Sequence, residues 1–367
     1  MNHLTYQDKT SQSTAPTPFH NQENIMKKII ASLVITAVTL TGCGGSDGYY
    51  SSSGTEYDIN IAYVTNGIDP FWTIAEAGAL AGAKEFKVNV EVLMPAKGIG
   101  DQKRLIETLL ANDIDGIAVS PIDAANQVSF LNEAAERTIL ITQDSDAPES
   151  ARLCFIGMDN YKAGREAGKM VKATLPDGGN IVIYVGRLEQ LNAQQRRQGV
   201  IDELLDRPMA DLNFRDFDPN NAPIVGDRFT VLATMTDNFD YAKAKSNAED
   251  SMASHENLNG MVGLFAYNMP ACLEAVKEAD KTGKIKLVSF DEADGTLQGI
   301  IDGHVEGTVS QQPYEYGRQS VKLLAELARG DDSGIPENKF IEIDLTIVQK
   351  DNVEEFWAKL KVLKGEK

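Results

Sequence analysis

The chain has 367 residues, 42% of them hydrophobic, which is enough for two ordinary domains with real cores and too apolar for one long disordered polymer. Its 35 Lys and Arg stand against 54 Asp and Glu, a net charge of −19, which excludes a polyanion such as nucleic acid as a partner for the body of the protein. No run of like charge stands out, so the excess acid reads as a solvated surface.

In chain order, residues 1–25 are polar and read as an extension upstream of the true start at Met26. From Met26, "MKKIIASLVITAVTLTGC" sets Lys27 and Lys28 before an apolar stretch too short to span a bilayer comfortably, then small residues, then Cys43. That is the layout of a secretory signal. Leu40 to Cys43 resembles a bacterial lipobox, which implies that Cys43 receives diacylglycerol and that the membrane is touched only through this lipid. The Gly/Ser-rich 44–56 has the composition of a flexible tether, so the folded body is expected from Tyr57. Cys154 and Cys272 both lie in apolar contexts typical of buried free thiols.

From Tyr57, short apolar runs alternate with segments of helical spacing. "DINIAYV", "VNVEVLM", "DGIAVS" and "TILITQD" read as strands, with helices near 72–86, 101–112 and 124–137 between them. After "LCFIGMD" the rhythm restarts with "NIVIYVG", "RFTVLAT", "GMVGLFA", "IKLVSFD" and "EGTVSQQ". Repeated βαβ units imply parallel sheets covered by helices on both faces. Roughly ten strands exceed one compact sheet of this kind, so an α/β fold of two doubly wound, Rossmann-like domains is expected.

Ligands of open parallel sheets bind beyond the carboxyl ends of the strands. Asp69, Phe71, Trp72, Asp144, Asn268, Asp291 and Gln311 all follow apolar runs directly or within a short turn. Singly, each Asp or Asn there reads as readily as a helix cap or turn former.

Six ordered segments together resemble the ribose-binding and galactose/glucose-binding branch of bacterial periplasmic binding proteins. They are "DPFW", "CFIGMDNYKAGREAG", "QQRRQGV", "LFAYNMPACLEAV", "VSFDEADG" and "GTVSQQPYEYG", and the likeness runs from Tyr57 to about Lys350. The resemblance implies the type I architecture of that family, two lobes joined by a three-segment hinge. The lobes are expected at 57–158 with 312–344 and at 159–311 with 345–367, with crossings near Met158, Gln311 and Asp344. It also implies roles: Phe71 and Trp72 stack on a sugar ring, Asp144 accepts from hydroxyls, Arg196 clamps them, Phe239 closes the opposite face, and Asn268, Asp291 and Gln311 complete the polar contacts. Flat aromatics suit the C–H faces of a sugar, and carboxylate, guanidinium and amide groups suit its hydroxyl edge.

Two departures bear on the ligand. Asp69 stands where ribose-binding proteins carry asparagine and the galactose/glucose type an acid. Ser145 follows Asp144 where ribose-binding proteins have arginine, so a long donor is missing, and a larger ligand, a water or Asn192, one turn before Arg196, would fill the gap.

The implied function is an extracytoplasmic lipoprotein, monomeric and without cofactor, that captures a monosaccharide by hinge closure and hands it to an ABC transporter permease. The alternative output is a sensor of a cyclitol, polyol or furanosyl signal feeding a chemoreceptor or sensor kinase. Catalysis is poorly supplied: no GxSxG, GxxxxGK[ST] or HExxH occurs, and of four histidines only His255 and His304 fall in the body. The oxygen-rich "DFDPNNAPIVGD" from Asp216 lacks the glycine and glutamate of a calcium loop and reads as a polar insertion, so no metal site is expected.

Overall fold

A computed structural model describes residues 49–52, 57–209 and 217–366 of the chain. The expected signal segment, Cys43 and the first residues of the tether lie outside them. Among the described residues no helix is long and apolar enough to cross a membrane.

The first part runs β1 (Tyr49–Ser52), β2 (Asn60–Val64), α1 (Pro70–Phe86), β3 (Asn89–Met94), α2 (Ile99–Ala111), β4 (Gly116–Val119), α3 (Val128–Ala135), β5 (Ile139–Gln143) and β6 (Phe155–Gly157). It continues with α4 (Asn160–Thr174), β7 (Gly179–Val185), α5 (Leu191–Leu204), β8 (Ile224–Val225), β9 (Phe229–Thr236), α6 (Tyr241–Ser254) and β10 (Leu258–Gly263). Then follow α7 (Asn268–Glu278), β11 (Lys286–Phe290), α8 (Asp294–Ile301), β12 (Gly307–Ser310), α9 (Pro313–Ala328), β13 (Phe340–Glu342), β14 (Thr346–Val348) and α10 (Val353–Leu363).

These strands form two sheets, in the orders β1-β3-β2-β4-β5-β6-β13 and β14-β12-β11-β10-β7-β9-β8. Pairing is parallel except at β1, β8 and β14, which are antiparallel edges. Central strands such as β2 and β4 are buried along almost their whole length, because helices cover both faces, and this is why they read as continuous apolar runs. Each sheet carries apolar clusters on its two faces, for example Tyr63, Ala79 and Val321 on one side of the first sheet and Val64, Ile106 and Leu131 on the other.

The tether expectation needs correcting at four residues. Tyr49–Ser52 is not free chain but pairs with Glu91–Met94. Without it, β3 would be an open edge with unmatched N–H and C=O groups, and a short extended segment satisfies them.

The chain passes between the two sheets three times: from β6 into α4, from β12 into α9, and from β13 to β14. We call the first sheet with its helices the first lobe and the other the second. The crossings are tied to one another. The Tyr316 hydroxyl accepts from the Met158 amide at 3.1 Å and donates to Gln311 Oε1 at 3.0 Å, and Gln312 Nε2 donates to the Asp344 carbonyl at 2.8 Å.

A matched device packs one helix pair in each lobe. In the first, a Cβ on Gly78 would lie 1.9 Å from the Tyr314 carbonyl oxygen and one on Gly317 2.0 Å from that of Ala75, so α1 and α9 touch backbone to backbone. In the second, Gly164 meets the Arg196 carbonyl oxygen at 2.1 Å and Gly199 that of Tyr161 at 2.2 Å, which locks α5 against α4. Cys154 and Cys272 are free and fully buried, one in the core of each lobe.

Candidate functional site

The turns that leave β2, β3, β5, β7, β9, β10, β11 and β12 converge on one cavity of about 600 Å³. It lies between the carboxyl ends of the two sheets, where side chains from different strands meet without a strand of their own to satisfy. Asp69, Phe71, Trp72, Asp144, Asn192, Arg196, Phe239, Asp291 and Gln311 all line it.

Asp144 and Asp291 share one backbone geometry. Both take left-handed φ, 59° and 64°, a region uncommon for non-glycine residues but one that Asp adopts more readily than most. Strand carbonyls hold them there: Asp144 N–H donates to the Ile156 carbonyl and Asp291 N–H to that of Val309. Asp144 Oδ2 accepts from the Ser120 hydroxyl at 2.9 Å, from Asn66 Nδ2 at 3.5 Å and, across the cleft, from Asn192 Nδ2 at 3.4 Å. Its other oxygen stands 4.0 Å from Arg196 Nη2. Asp291 Oδ1 accepts from Gln311 Nε2 at 2.7 Å. Burial pushes the Asp144 carboxyl up to about 6 against the pull of Arg196 and Ser120, and burial likewise raises Asp291.

Arg196 projects from α5 and is almost wholly buried. Its Nε donates to Asn160 Oδ1 at 2.8 Å and its Nη1 to the Leu264 carbonyl at 3.0 Å, while the Phe265 and Phe290 rings lie 5.5 and 5.1 Å from the guanidinium carbon. Nη2 is buried with no hydrogen-bond partner, and so is Oδ1 of Asn192 one turn earlier. A buried donor and a buried acceptor thus stand at the same wall without a protein hydrogen-bond partner, where a ligand hydroxyl can meet both. Asn192 does reach toward Asp144, where the sequence lacks an arginine after that aspartate.

The aromatic residues divide by role. Trp72 is buried, edge-on to Phe71 at 4.9 Å and to Tyr63 at 6.5 Å, so most of its ring supports α1 and only part faces the cavity. Phe239, on the opposite wall, is 38% exposed and held at φ 66°. It packs edge-on to Phe265 at 5.8 Å and near Tyr267 at 6.1 Å. Gly186 lies close beneath it: a Cβ there would sit 2.6 Å from the Phe239 ring and would push that ring aside.

Asp69 combines both readings open to it. Its Oδ1 caps α1 by accepting from the Phe71 amide at 2.9 Å, and it also lines the cavity. Burial lifts its carboxyl to about 6, the Phe71 amide opposes this, and the charge of Asp291 adds to it.

Asn268 departs from expectation. It does not line the cavity: its Oδ1 accepts from the Phe265 amide at 3.0 Å and its Nδ2 donates to Asp237 Oδ2 at 2.9 Å. A side chain at the first turn of α7 points back along the helix and braces the turn before it. Asp237, which sequence reasoning missed, is the centre of that brace. It also accepts from the Tyr267 hydroxyl and the Phe239 amide, and burial raises it to about 6. The only signal was an acid two residues before an aromatic at the end of a strand, which reads like an ordinary turn. Asn66, Arg187, Phe265 and Tyr267 line the cavity as well and were not anticipated.

Chemically, the cavity offers carboxylates that accept, a guanidinium and amides that donate, and aromatic faces on two sides. Among the described residues no cluster of His, Cys, Asp and Glu could hold a metal ion. Asp218 in the oxygen-rich loop is instead paired with Arg207.

The fold has counterparts among known proteins. A model of the periplasmic binding protein domain matches residues 59–332. The chain is 23% identical over 319 residues to the D-ribose/D-allose-binding protein of Pseudomonas aeruginosa, covering 82% of this chain and 93% of that protein. It is 24% identical over 333 residues to the ribose import binding protein of Haemophilus influenzae, covering 89% and 100%. Among solved structures, an ABC transporter solute-binding protein of Burkholderia graminis in complex with D-arabinose aligns with a TM-score of 0.72 and 26% identity, over 82% of this chain and 98% of that one. A glucose-galactose binding protein of Geobacillus stearothermophilus aligns with a TM-score of 0.71 and 24% identity, over 80% and 98%.

Proposed function

The chain belongs to the periplasmic binding protein domain family, and from that premise we propose that it is the extracytoplasmic sugar-binding component of an ABC importer, taking a monosaccharide between its lobes. Its family is one of substrate-binding proteins, so it is a binding protein and not an enzyme. The lobes correspond to 57–158 with 312–344 and 159–311 with 345–367. Cys43 carries the lipid that holds the protein at the membrane surface, and the protein works as a monomer.

One observation carries the reading: Arg196 Nη2 and Asn192 Oδ1 are buried and unmatched at the cavity wall, with Asp144 of the other lobe 4.0 Å from that guanidinium. A sugar hydroxyl both donates and accepts, so one such group bridges carboxylate and guanidinium and draws the lobes together. Asp291 and Gln311 take further hydroxyls, and Phe71 and Phe239 cover the C–H faces. Closure changes the outer surface, which is what a permease reads.

Titration of the purified protein with pentoses, hexoses, polyols and cyclitols, followed by melting temperature and by calorimetry, tests this. At least one monosaccharide should raise the melting temperature, and Arg196→Ala should abolish that rise. A panel with no response at millimolar concentration sinks the proposal. Cys43→Ser should move the protein from the membrane fraction to the soluble one; unchanged fractionation removes the lipid anchor.

A further inference from the structure

The cavity has two chemically different ends, and strand order separates them. In the first sheet β3 lies on the opposite side of β2 from β4, β5 and β6, and in the second β7 and β9 lie on the opposite side of β10 from β11 and β12. The crossings leave from β6 and β12, so Asp144, Asp291 and Gln311 stand at the hinge end. The loops after β3, β7 and β9 bring Pro95, Ala96, Gly98, Arg187 and Asn238 to the outer end, and none of these is acidic.

Arg187 is the exceptional residue there. Every other arginine among the described residues donates a hydrogen bond to protein. Arg187 has neither a hydrogen bond nor an ion pair; its guanidinium lies 5.2 Å over the Phe239 ring. It is half-buried and spans toward the first lobe, where a Cβ on Gly98 would lie 3.9 Å from its Nη1. Gly98 begins α2 with no side-chain cap, and Asp101 in the first turn is engaged by the Ala96 amide and Arg104. Helix amides at the start of α2 therefore add potential of the same sign.

Stacking on an aromatic ring restricts a guanidinium without using its donors, and a planar fork of five N–H groups fits carboxylate or phosphate oxygens in pairs. A neutral hydroxyl uses one donor and leaves the charge unanswered. Resting on the sugar-binding reading above, we infer that the ligand is a sugar bearing an anionic substituent, carboxylate or phosphate, on the part farthest from the hinge, and that Arg187 selects for it. The hinge-end carboxylates do not oppose this, because they hold hydroxyls at the other end of the cavity. Asp69, which follows β2 between the two ends, has one oxygen engaged by the α1 amide.

The test compares matched sugars on the full-length protein by calorimetry: D-glucose with D-glucuronate and D-glucose 6-phosphate, D-galactose with D-galacturonate, and lactose as a neutral disaccharide. At least one anionic sugar should bind about tenfold or more tightly than its neutral partner, with affinity falling as salt is added. Arg187→Gln should bring that ratio close to one, and Arg187→Lys should retain part of it, since it keeps the charge and loses the fork. The carboxylate and phosphate arms identify which oxyanion is read. If neutral sugars bind as tightly as their anionic partners, or lactose exceeds all of them, the inference is overturned while the sugar-binding reading stands. If the ratio survives in Arg187→Gln, Arg187 is not the selecting residue and the assignment is wrong. If no sugar of either kind binds, the sugar-binding reading fails and this inference falls with it.

Discussion

At the scale of single residues, the cavity is governed by carboxyl groups held out of water. Asp69, Asp144 and Asp237 titrate near 6 and Glu292, buried beside Asp291, near 8, all above the ordinary carboxylate range near 4. Between those values the folded chain holds more protons than the unfolded one. The contribution of these groups is therefore complete below about pH 4 and is lost as the pH rises through about 6 to 8. Carboxylates with lowered values, such as Asp206 hydrogen-bonded to Lys172, act below that window. The melting temperature of the ligand-free protein should fall between about pH 5 and pH 7.5. Ligand hydroxyls donate to the ionised form, so the ligand-induced rise should grow over the same interval; parallel curves with and without ligand would contradict the site. Asp291→Asn should weaken ligand binding about ten- to hundredfold, by loss of a charge-assisted acceptor, without lowering the stability of the free protein, because burial already disfavours that charge. Equal affinity in calorimetry would remove Asp291 from the ligand contacts. The limit of sequence reading at this scale is shown by Asn268 and Asp237. Both stand at strand ends with the right chemistry, but only geometry tells which carboxylate or amide faces the cavity and which braces the wall behind it.

At the scale of elements, the glycine contacts make a sharper forecast than any apolar side chain. Gly164→Ala drives a methyl into the carbonyl of Arg196 itself, so it should lower stability by about 1–3 kcal/mol in urea unfolding and also weaken ligand binding through displacement of α5. Gly100→Ala, in α2 with open space around it, should be neutral or stabilising by up to about 1 kcal/mol. Similar costs for the two would refute the packing argument. Ten of the parallel strands were legible from their apolar runs, since burial on both faces leaves a continuous signal. The missing strands β1, β8, β13 and β14 have two to four residues each, and β13 and β14 are only partly buried. β1, β13 and β14 pair with strands far off in sequence, and β8 pairs with the next strand, β9, over only two residues, so no apolar run records them.

For the whole molecule, the proposed closure would turn on three crossings whose backbone groups are tied by two side chains. Tyr316→Phe removes the hydroxyl shared by Met158 and Gln311 and leaves a buried amide and a buried carbonyl oxygen unmatched. It should cost about 1–3 kcal/mol of stability and loosen Gln311 from Asp291, weakening ligand binding as well. Wild-type affinity in Tyr316→Phe would show that the tie plays no part in holding the cavity closed. Small-angle scattering should show a smaller radius of gyration when a binding sugar is added, and identical curves would argue against closure. The two buried thiols give this motion an internal clock. Cys154 sits in the core of the first lobe and Cys272 in that of the second, and neither is accessible in the folded state. The rate at which a small alkylating reagent modifies each one therefore times the breathing of that half alone, with no introduced label. Ligand that slows both rates equally would mark the halves as one cooperative body, and ligand that slows only one would mark a clamp with a stiff jaw and a yielding one.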